Sequence, residues 1–83
     1  MDNQVRVGLT PKQAEVLQFL KIYAQHYGYY PTVREVANGK VDGQQVLEGR
    51  QAQSNIHRIM NALEKKGYLV KEAQSPRGIA VLQ

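Results

Sequence analysis

Cysteine is absent from the sequence, which excludes a disulfide framework and a thiolate metal site and gives no indication of secretion. No apolar run approaches the length of a membrane span, and residues 1–4 lack the basic flank and apolar block of a signal peptide. We therefore expect a soluble cytoplasmic chain without a membrane partner. Its 83 residues predict one small domain with a modest core.

Catalytic and metal-binding groups are also sparse. The seven carboxylates are scattered without a pair spaced for acid/base work, and neither a phosphate-cradling glycine motif nor a serine-histidine-aspartate set is present. His26 and His57 are too isolated to predict a metal site. The sequence therefore predicts a protein that is not an enzyme and has no cofactor or metal.

Basic residues are in excess and are unevenly placed. Eleven Lys and Arg against seven Asp and Glu give a net charge of +4, which favours a polyanionic partner without identifying it. The first 42 residues hold five basic and four acidic side chains, whereas the remainder holds six and three. On charge alone, a basic domain with no nucleic-acid partner remains an alternative.

Two helices are predicted in the first half. Thr10 and Gln13 form a capping-box pattern around Pro11, and Gly28 is placed to end the helix near Tyr27. The predicted apolar stripe of this helix is Val16, Leu17, Leu20, Tyr23, Ala24 and Tyr27. A second capping box at residues 32–35 predicts a helix of about two turns, with a buried face of Val33, Val36 and Ala37.

The connection from residue 38 to residue 50 is interrupted by three glycines and leaves two interpretations open. Val46 and Leu47 could form a helical turn that packs locally. Alternatively, the segment could be a mobile loop that presents Lys40 and Arg50 to phosphates.

A third helix is predicted from an apolar stripe with the spacing i, i+3, i+4 and i+7, formed by Ile56, Ile59, Met60 and Leu63. Its other face must point outward and is rich in hydrogen-bond donors. Such side chains match the chemistry of base edges in the major groove of DNA. The candidate base-reading residues are Gln51, Ser54, Asn55, His57, Arg58 and Asn61.

The helix is followed by a basic β-hairpin. Lys65, Lys66 and Gly67 end the helix, and residues 68–72 and 79–82 are rich in β-forming residues on either side of a turn-rich tip. This order predicts an α+β winged helix-turn-helix, with three helices and then a two-stranded wing.

Within one domain of residues 1–83, we expect an arm at 1–8, a variable connection at 38–50 and the wing at 68–82. Candidate contacts to the DNA backbone are Thr32, Arg34, Lys40, Arg50, Lys65, Lys71 and Arg77.

Several short motifs recur in the order and spacing of a known family. They include Leu9-Thr10 with Gln13, Glu15 and Val16; Gly28, Pro31-Thr32, Glu35 and Ala37; Ala62-Leu63 with Lys66-Gly67; and Arg77-Gly78-Ile79 with Leu82. From Leu9 onward the chain resembles the N-terminal DNA-binding domain of the LexA repressor family. The resemblance implies a sequence-specific regulator of transcription that binds double-stranded DNA, in the simplest case a repressor.

The sequence departs from this family in two respects. We expect no linker and no self-cleaving serine-lysine peptidase domain after residue 83, so the resemblance is not taken to imply release by cleavage. The connection between helices 2 and 3 is longer than the family's short turn. The family's base-reading positions carry different chemistry here and predict a different operator; they fall on Ala52, Ser54, Asn55, His57 and Arg58.

Because the resemblance implies that the peptidase domain supplies much of the family's dimerisation, we expect a domain without it to pair through another contact. We expect a homodimer on a palindromic operator, paired through residues 5–7 and an exposed Tyr29-Tyr30 pair. The other three tyrosines, Tyr23, Tyr27 and Tyr68, are expected to face the core. The alternative function is a protein-interaction module on a winged-helix scaffold, which would bind another protein instead of an operator.

Overall fold

The computed structural model describes residues 8–47, 51–71 and 78–82. Within these ranges the elements follow the order α1 (Pro11–Tyr27), α2 (Val33–Asn38), β1 (Lys40–Val41), β2 (Gln44–Gln45), α3 (Gln53–Lys65), β3 (Leu69–Lys71) and β4 (Ile79–Val81). The predicted α+β order of three helices and a terminal hairpin is confirmed. None of the helices described is long and apolar enough to cross a membrane.

Local capping sets both ends of α1. The Gln13 backbone N–H donates to Thr10 Oγ1 at 3.1 Å, and the Thr10 N–H donates to Gln13 Oε1 at 3.1 Å. These two bonds satisfy donors that the first turn of a helix leaves without partners. Gly28 then adopts the left-handed conformation with φ of 85°, which ends the helix at the predicted residue.

A second capping box starts α2, as predicted. The Glu35 N–H donates to Thr32 Oγ1 at 3.3 Å, and the Thr32 N–H donates to Glu35 Oε1 at 2.8 Å. Gly39 ends the helix after six residues, also in the left-handed conformation. The short α2 is therefore specified by the residues immediately around it.

The connection after α2 contains a small hairpin at residues 40–45, and the helical turn expected at Val46 and Leu47 does not form. Strand β1 pairs with β2 in antiparallel register through a two-residue turn, in which Asp42 and Gly43 have φ of 53° and 78°. Positive φ at both positions is the requirement of the tight hairpin turn that Asp-Gly favours. Leu47 enters the core without forming a helical turn, whereas Val46 stays exposed.

The apolar stripe of α3 is buried as predicted, since Ile56, Ile59, Met60 and Leu63 are all at most 8% exposed. They pack in one core cluster with the buried side chains of α1 and α2 and with Leu69 of β3. Ile56 and Leu63 are completely inaccessible to solvent. This packing fixes the rotation of α3 about its own axis.

Two aromatic side chains of α1 differ from the prediction. Phe19, which was not predicted, is 1% exposed in the core, whereas Tyr27, which was predicted to face it, is 37% exposed. Tyr27 lies in the last turn of α1, where its ring stacks on Tyr29 at an interplanar angle of 25° and its hydroxyl accepts from the Asp42 N–H at 2.8 Å. Its place is therefore beside the β1–β2 hairpin. Tyr23 and Tyr68 are buried, as predicted.

The terminal hairpin pairs β3 with β4 in antiparallel register, with Leu69 opposite Val81 and Lys71 opposite Ile79. The strands are shorter than predicted. Leu69 and Ile79 are buried and attach the hairpin to the helical core. Most of the predicted tip lies outside the described residues, as do residues 1–7 of the predicted arm.

Gly39 is expected to tolerate substitution poorly. A Cβ at this position would lie 2.5 Å from the Leu47 carbonyl oxygen, and φ is already 70°. Gly28 is a matched control because its φ is 85° but a Cβ there would meet nothing within 4 Å. We expect Gly28→Ala to cost about 1 kcal/mol of unfolding free energy from backbone strain, and Gly39→Ala to cost more. Urea denaturation of both variants measures this, and equal losses would contradict it.

Candidate nucleic-acid interface

The face of α3 opposite the core is polar and open. Ser54, His57, Arg58, Asn61 and Lys65 are all exposed, and Gln51 and Asn55 are half-buried at the edge of this face. All six candidate base-reading residues therefore lie on or beside one surface, which we call the α3 face. The α3 face consists of residues 51, 53–55, 57, 58, 61 and 65.

The edge of the α3 face nearest α2 is held by hydrogen bonds. Asn55 Nδ2 donates to Gln51 Oε1 at 3.4 Å, and the Gln51 backbone N–H donates to the carbonyl oxygen of Ala37 at 3.1 Å. Ala37 belongs to α2, so Gln51 connects the start of α3 to the preceding helix. Both amide side chains are thus positioned before any ligand arrives.

Gln53 belongs to the α3 face but was not among the candidate residues predicted from the sequence. It is exposed at the first position of α3 and, together with Arg34, Asn38 and Gln51, lines a concavity of about 390 Å³. Its place four residues before His57 puts it on the polar face and was a usable signal. Among the described residues no side chain caps this helix start, because Ala52 occupies the N-cap position.

Arg58 projects from the middle of the α3 face. Within the described parts of the chain, no carboxylate lies within 4 Å of its guanidinium, and the same holds for the exposed cations Arg34, Lys40 and Lys65. Among the described residues, therefore, no carboxylate neutralises these four charges. Arg34 is in the first turn of α2, and Lys40 opens the β1–β2 hairpin.

Lys71 differs from these four cations because its ammonium is engaged within the protein. Its Nζ lies 3.0 Å from Asn61 Oδ1 and 3.6 Å from Glu64 Oε1. A candidate backbone contact on the wing is therefore bonded to a candidate base-reading residue on α3. Half of the Lys71 side chain, 56%, remains exposed.

Lys66 is also bonded within the protein, but near the start of α1. Its Nζ donates to Gln13 Oε1 at 2.8 Å and to the carbonyl oxygen of Gly8. Since Gln13 Oε1 also receives the Thr10 N–H, Lys66 joins the end of α3 to the capping box of α1. Its neighbour Lys65 is exposed on the α3 face.

The remaining candidates have mixed outcomes. Thr32 is exposed, but its hydroxyl accepts the Glu35 N–H. Arg50 and Arg77 lie outside the described residues. In the part of the chain that the structure describes, no three His, Cys, Asp or Glu side chains are grouped as metal ligands would be, and His26 instead packs edge-on against Tyr27.

A helix with a buried stripe and a donor-rich outer face, preceded by a short helix and followed by a hairpin, defines a winged helix-turn-helix DNA-binding domain. The chain belongs to the LexA DNA-binding domain family, whose model matches residues 6–78.

Its relatives include the LexA repressor of Pelotomaculum thermopropionicum, which is 46% identical over 74 residues, covering 89% of this chain and 32% of the relative. The LexA repressors of Bacillus mycoides and Bacillus thuringiensis are each 38% identical over the same shares of the two chains. The chain therefore spans about a third of the length of these relatives.

Lys65 and Lys66 are expected to have separate roles. Lys66→Met removes two hydrogen bonds between α3 and the region of α1, so it should cost about 1 kcal/mol of unfolding free energy and leave duplex affinity nearly unchanged. Lys65→Met should leave stability unchanged and reduce the dependence of log affinity on log salt by about one. Thermal melting and fluorescence anisotropy with a duplex measure the two effects. A fall in the salt slope for Lys66→Met at unchanged stability would reverse the assignment.

Proposed function

We propose that the protein is a transcriptional repressor that binds a specific sequence of double-stranded DNA through the α3 face. The observation that carries this proposal is the α3 face itself, a set of outward donors on a helix whose rotation is fixed by a buried stripe. Membership of the LexA DNA-binding domain family supports the same function. The LexA repressors that it resembles extend well beyond the matched segment.

Base reading is proposed for the polar residues of the α3 face from Gln51 to Asn61. In helix-turn-helix proteins the N-terminal part of the recognition helix reaches base edges. The Arg58 guanidinium can donate two parallel bonds to N7 and O6 of guanine. Asn55, supported by Gln51, has the amide chemistry that pairs with adenine, and Ser54, Gln53 and His57 add further donors and acceptors beside it.

The exposed cations around the α3 face are proposed to bind phosphates. Asn38 lines the concavity shared with Arg34 and Gln53, and it also lines a second one of about 400 Å³ with Lys40 and Tyr27. A polar surface thus continues from the start of α3, across α2, to the β1–β2 hairpin. Thr32, Lys65, Arg50 and Arg77 are proposed as further backbone contacts, the last two from the sequence alone.

Specific duplex binding can be separated from the alternative, an interaction module for another protein, by its salt dependence. We expect the chain to select a motif from a random duplex library and to lose affinity steeply between low and high salt, because phosphate contacts release counterions. A mainly apolar protein interface would be much less sensitive to salt. If no motif is enriched at either salt concentration, the proposed function is wrong.

Arg58→Ala is the decisive variant for this function. Loss of a guanine contact should cost about 1–3 kcal/mol on the selected motif and relax preference at one base pair. Affinity for random duplex should change less. Fluorescence anisotropy with both duplexes measures the difference, and an equal loss on both would make Arg58 a phosphate contact.

We also propose that two copies bind a palindromic operator. A single recognition helix reads few base pairs, and a twofold pair doubles the phosphate contacts. The expected Tyr29-Tyr30 contact surface is corrected in one respect: Tyr30 is half-buried and packs against the core, whereas Tyr27 and Tyr29 are 37% and 46% exposed. The stacked Tyr27-Tyr29 pair therefore replaces the Tyr29-Tyr30 pair as the proposed contact surface. Residues 5–7, the other expected contact, lie outside the described residues.

Sedimentation of the protein with one half-site and with an inverted repeat tests this pairing. We expect one protomer on the half-site and two, bound cooperatively, on the repeat. Tyr29→Ala should reduce the cooperativity while preserving half-site affinity. If two protomers bind the repeat independently, the proposed pairing is wrong and the protein binds DNA as a monomer.

A further inference from the structure

The bond between Lys71 and Asn61 fixes which atom of the Asn61 amide faces outward. An ammonium group can only donate hydrogen bonds, so the amide oxygen is the atom that accepts from Lys71 Nζ, at 3.0 Å. The amide nitrogen of Asn61 is then directed away from the lysine. Asn61 itself is exposed on the α3 face.

The fold holds Lys71 in the position that makes this bond. Side chains alternate along a strand, so Lys71 lies on the same face of β3 as Leu69, which is 1% exposed in the core. Lys71 is also paired across the hairpin with the buried Ile79. The Glu64 carboxylate, 3.6 Å from Nζ, attracts the ammonium toward α3 from one turn beyond Asn61.

This orientation changes what Asn61 can recognise. The usual asparagine contact to adenine uses both amide atoms, with the nitrogen donating to N7 and the oxygen accepting from N6. When Lys71 Nζ occupies one lone pair of this oxygen, a second donor that approaches the same oxygen meets the positive ammonium, so Asn61 offers mainly its N–H donors. Such a group matches guanine, whose N7 and O6 both accept, or O4 of thymine better than adenine, whose N7 acceptor lies beside the N6 donor.

We infer that Lys71 is a positioning residue, which turns Asn61 into a donor and thereby disfavours adenine at the base pair that Asn61 reads. The inference rests on the proposed function, since it requires the α3 face to contact bases. Lys71, on β3 of the wing, then changes the base preference of Asn61 without contacting a base itself.

The competing role for Lys71 is a direct phosphate contact, as expected from its basic side chain alone. The two roles predict different measurements. A phosphate contact contributes to every duplex sequence and to the salt slope. A positioning residue changes the preferred base at one position, and its effect disappears when the residue that it positions is removed.

The experiment compares motifs selected from a random duplex library by the full chain and by its Asn61→Ala, Lys71→Met and Lys65→Met variants. The position at which Asn61→Ala relaxes preference identifies the base pair that Asn61 reads. At that position we expect Lys71→Met to increase the preference for adenine by roughly threefold or more. Its salt slope should stay unchanged. The matched control Lys65→Met should lower the salt slope by about one and leave the motif unchanged.

A double variant and a folding control complete the test. The double variant Asn61→Ala with Lys71→Met should bind the selected motif no more weakly than Asn61→Ala alone. If the affinity losses of the two single variants instead multiply in the double variant, the inference is wrong. Thermal melting reports whether Lys71→Met stays folded. If Lys71→Met does not fold, Lys71→Gln replaces it, because a glutamine is neutral but can still donate to Asn61. Lys71→Gln should select the same motif as the unaltered chain. If folded Lys71→Gln selects a different motif, the inference is wrong.

Two other results separate this inference from the proposed function. If Lys71→Met lowers the salt slope by about one and leaves every base preference unchanged, Lys71 is a phosphate contact and the inference is wrong while specific binding stands. The inference is also wrong, with specific binding intact, if Asn61→Ala relaxes no position of the motif. Failure of the unaltered chain to select any motif would instead reject the proposed function.

Discussion

Burial of the α3 stripe is the constraint on which the rest of this domain depends. Complete burial of a side chain the size of Ile, Leu or Met contributes about 1.5–3 kcal/mol, so four of them contribute on the order of 6–12 kcal/mol. This is similar to the whole net stability of a typical small domain. Rotating α3 to expose Ile56 or Leu63 would therefore compete with folding itself. The polar face must point outward because the apolar face has no other stable orientation.

Around that stripe, a few polar contacts between distant residues position the peripheral elements. Lys66 connects the end of α3 to Gln13 of α1, the Tyr27 hydroxyl accepts from the backbone of Asp42 in the β1–β2 hairpin, and Lys71 connects the wing to α3. Each contact is individually weak, since all three are exposed to solvent. Their importance is geometric, because each determines where one segment lies relative to the apolar core.

The sequence predicted the features whose causes are local. Both capping boxes and the stop at Gly28 involve residues within four positions of one another, so the bounds of α1 and the start of α2 followed directly. The β1–β2 hairpin was missed because its strands have two residues each and contain Lys and Gln, which give no apolar alternation; the Asp42-Gly43 pair was its one clear signal. The exposure of Tyr27 and the bond from Lys71 to Asn61 arise from tertiary packing, which periodicity along a single helix does not contain.

Net charge alone would assign every cation of this domain to DNA. The structure separates the cations that are bonded within the fold from those that are not. Lys66 and Lys71 are bonded within the fold, whereas Arg34, Lys40, Arg58 and Lys65 have no acidic partner among the described residues. A cation that already holds two elements together must give up those bonds, or share them, before it can bind a phosphate. Phosphate affinity should therefore depend on Arg34, Lys40 and Lys65, and specificity on Arg58 and on the orientation that Lys71 gives to Asn61. In a domain this small, the same type of side chain serves both purposes, and only its partners in the folded chain distinguish the two.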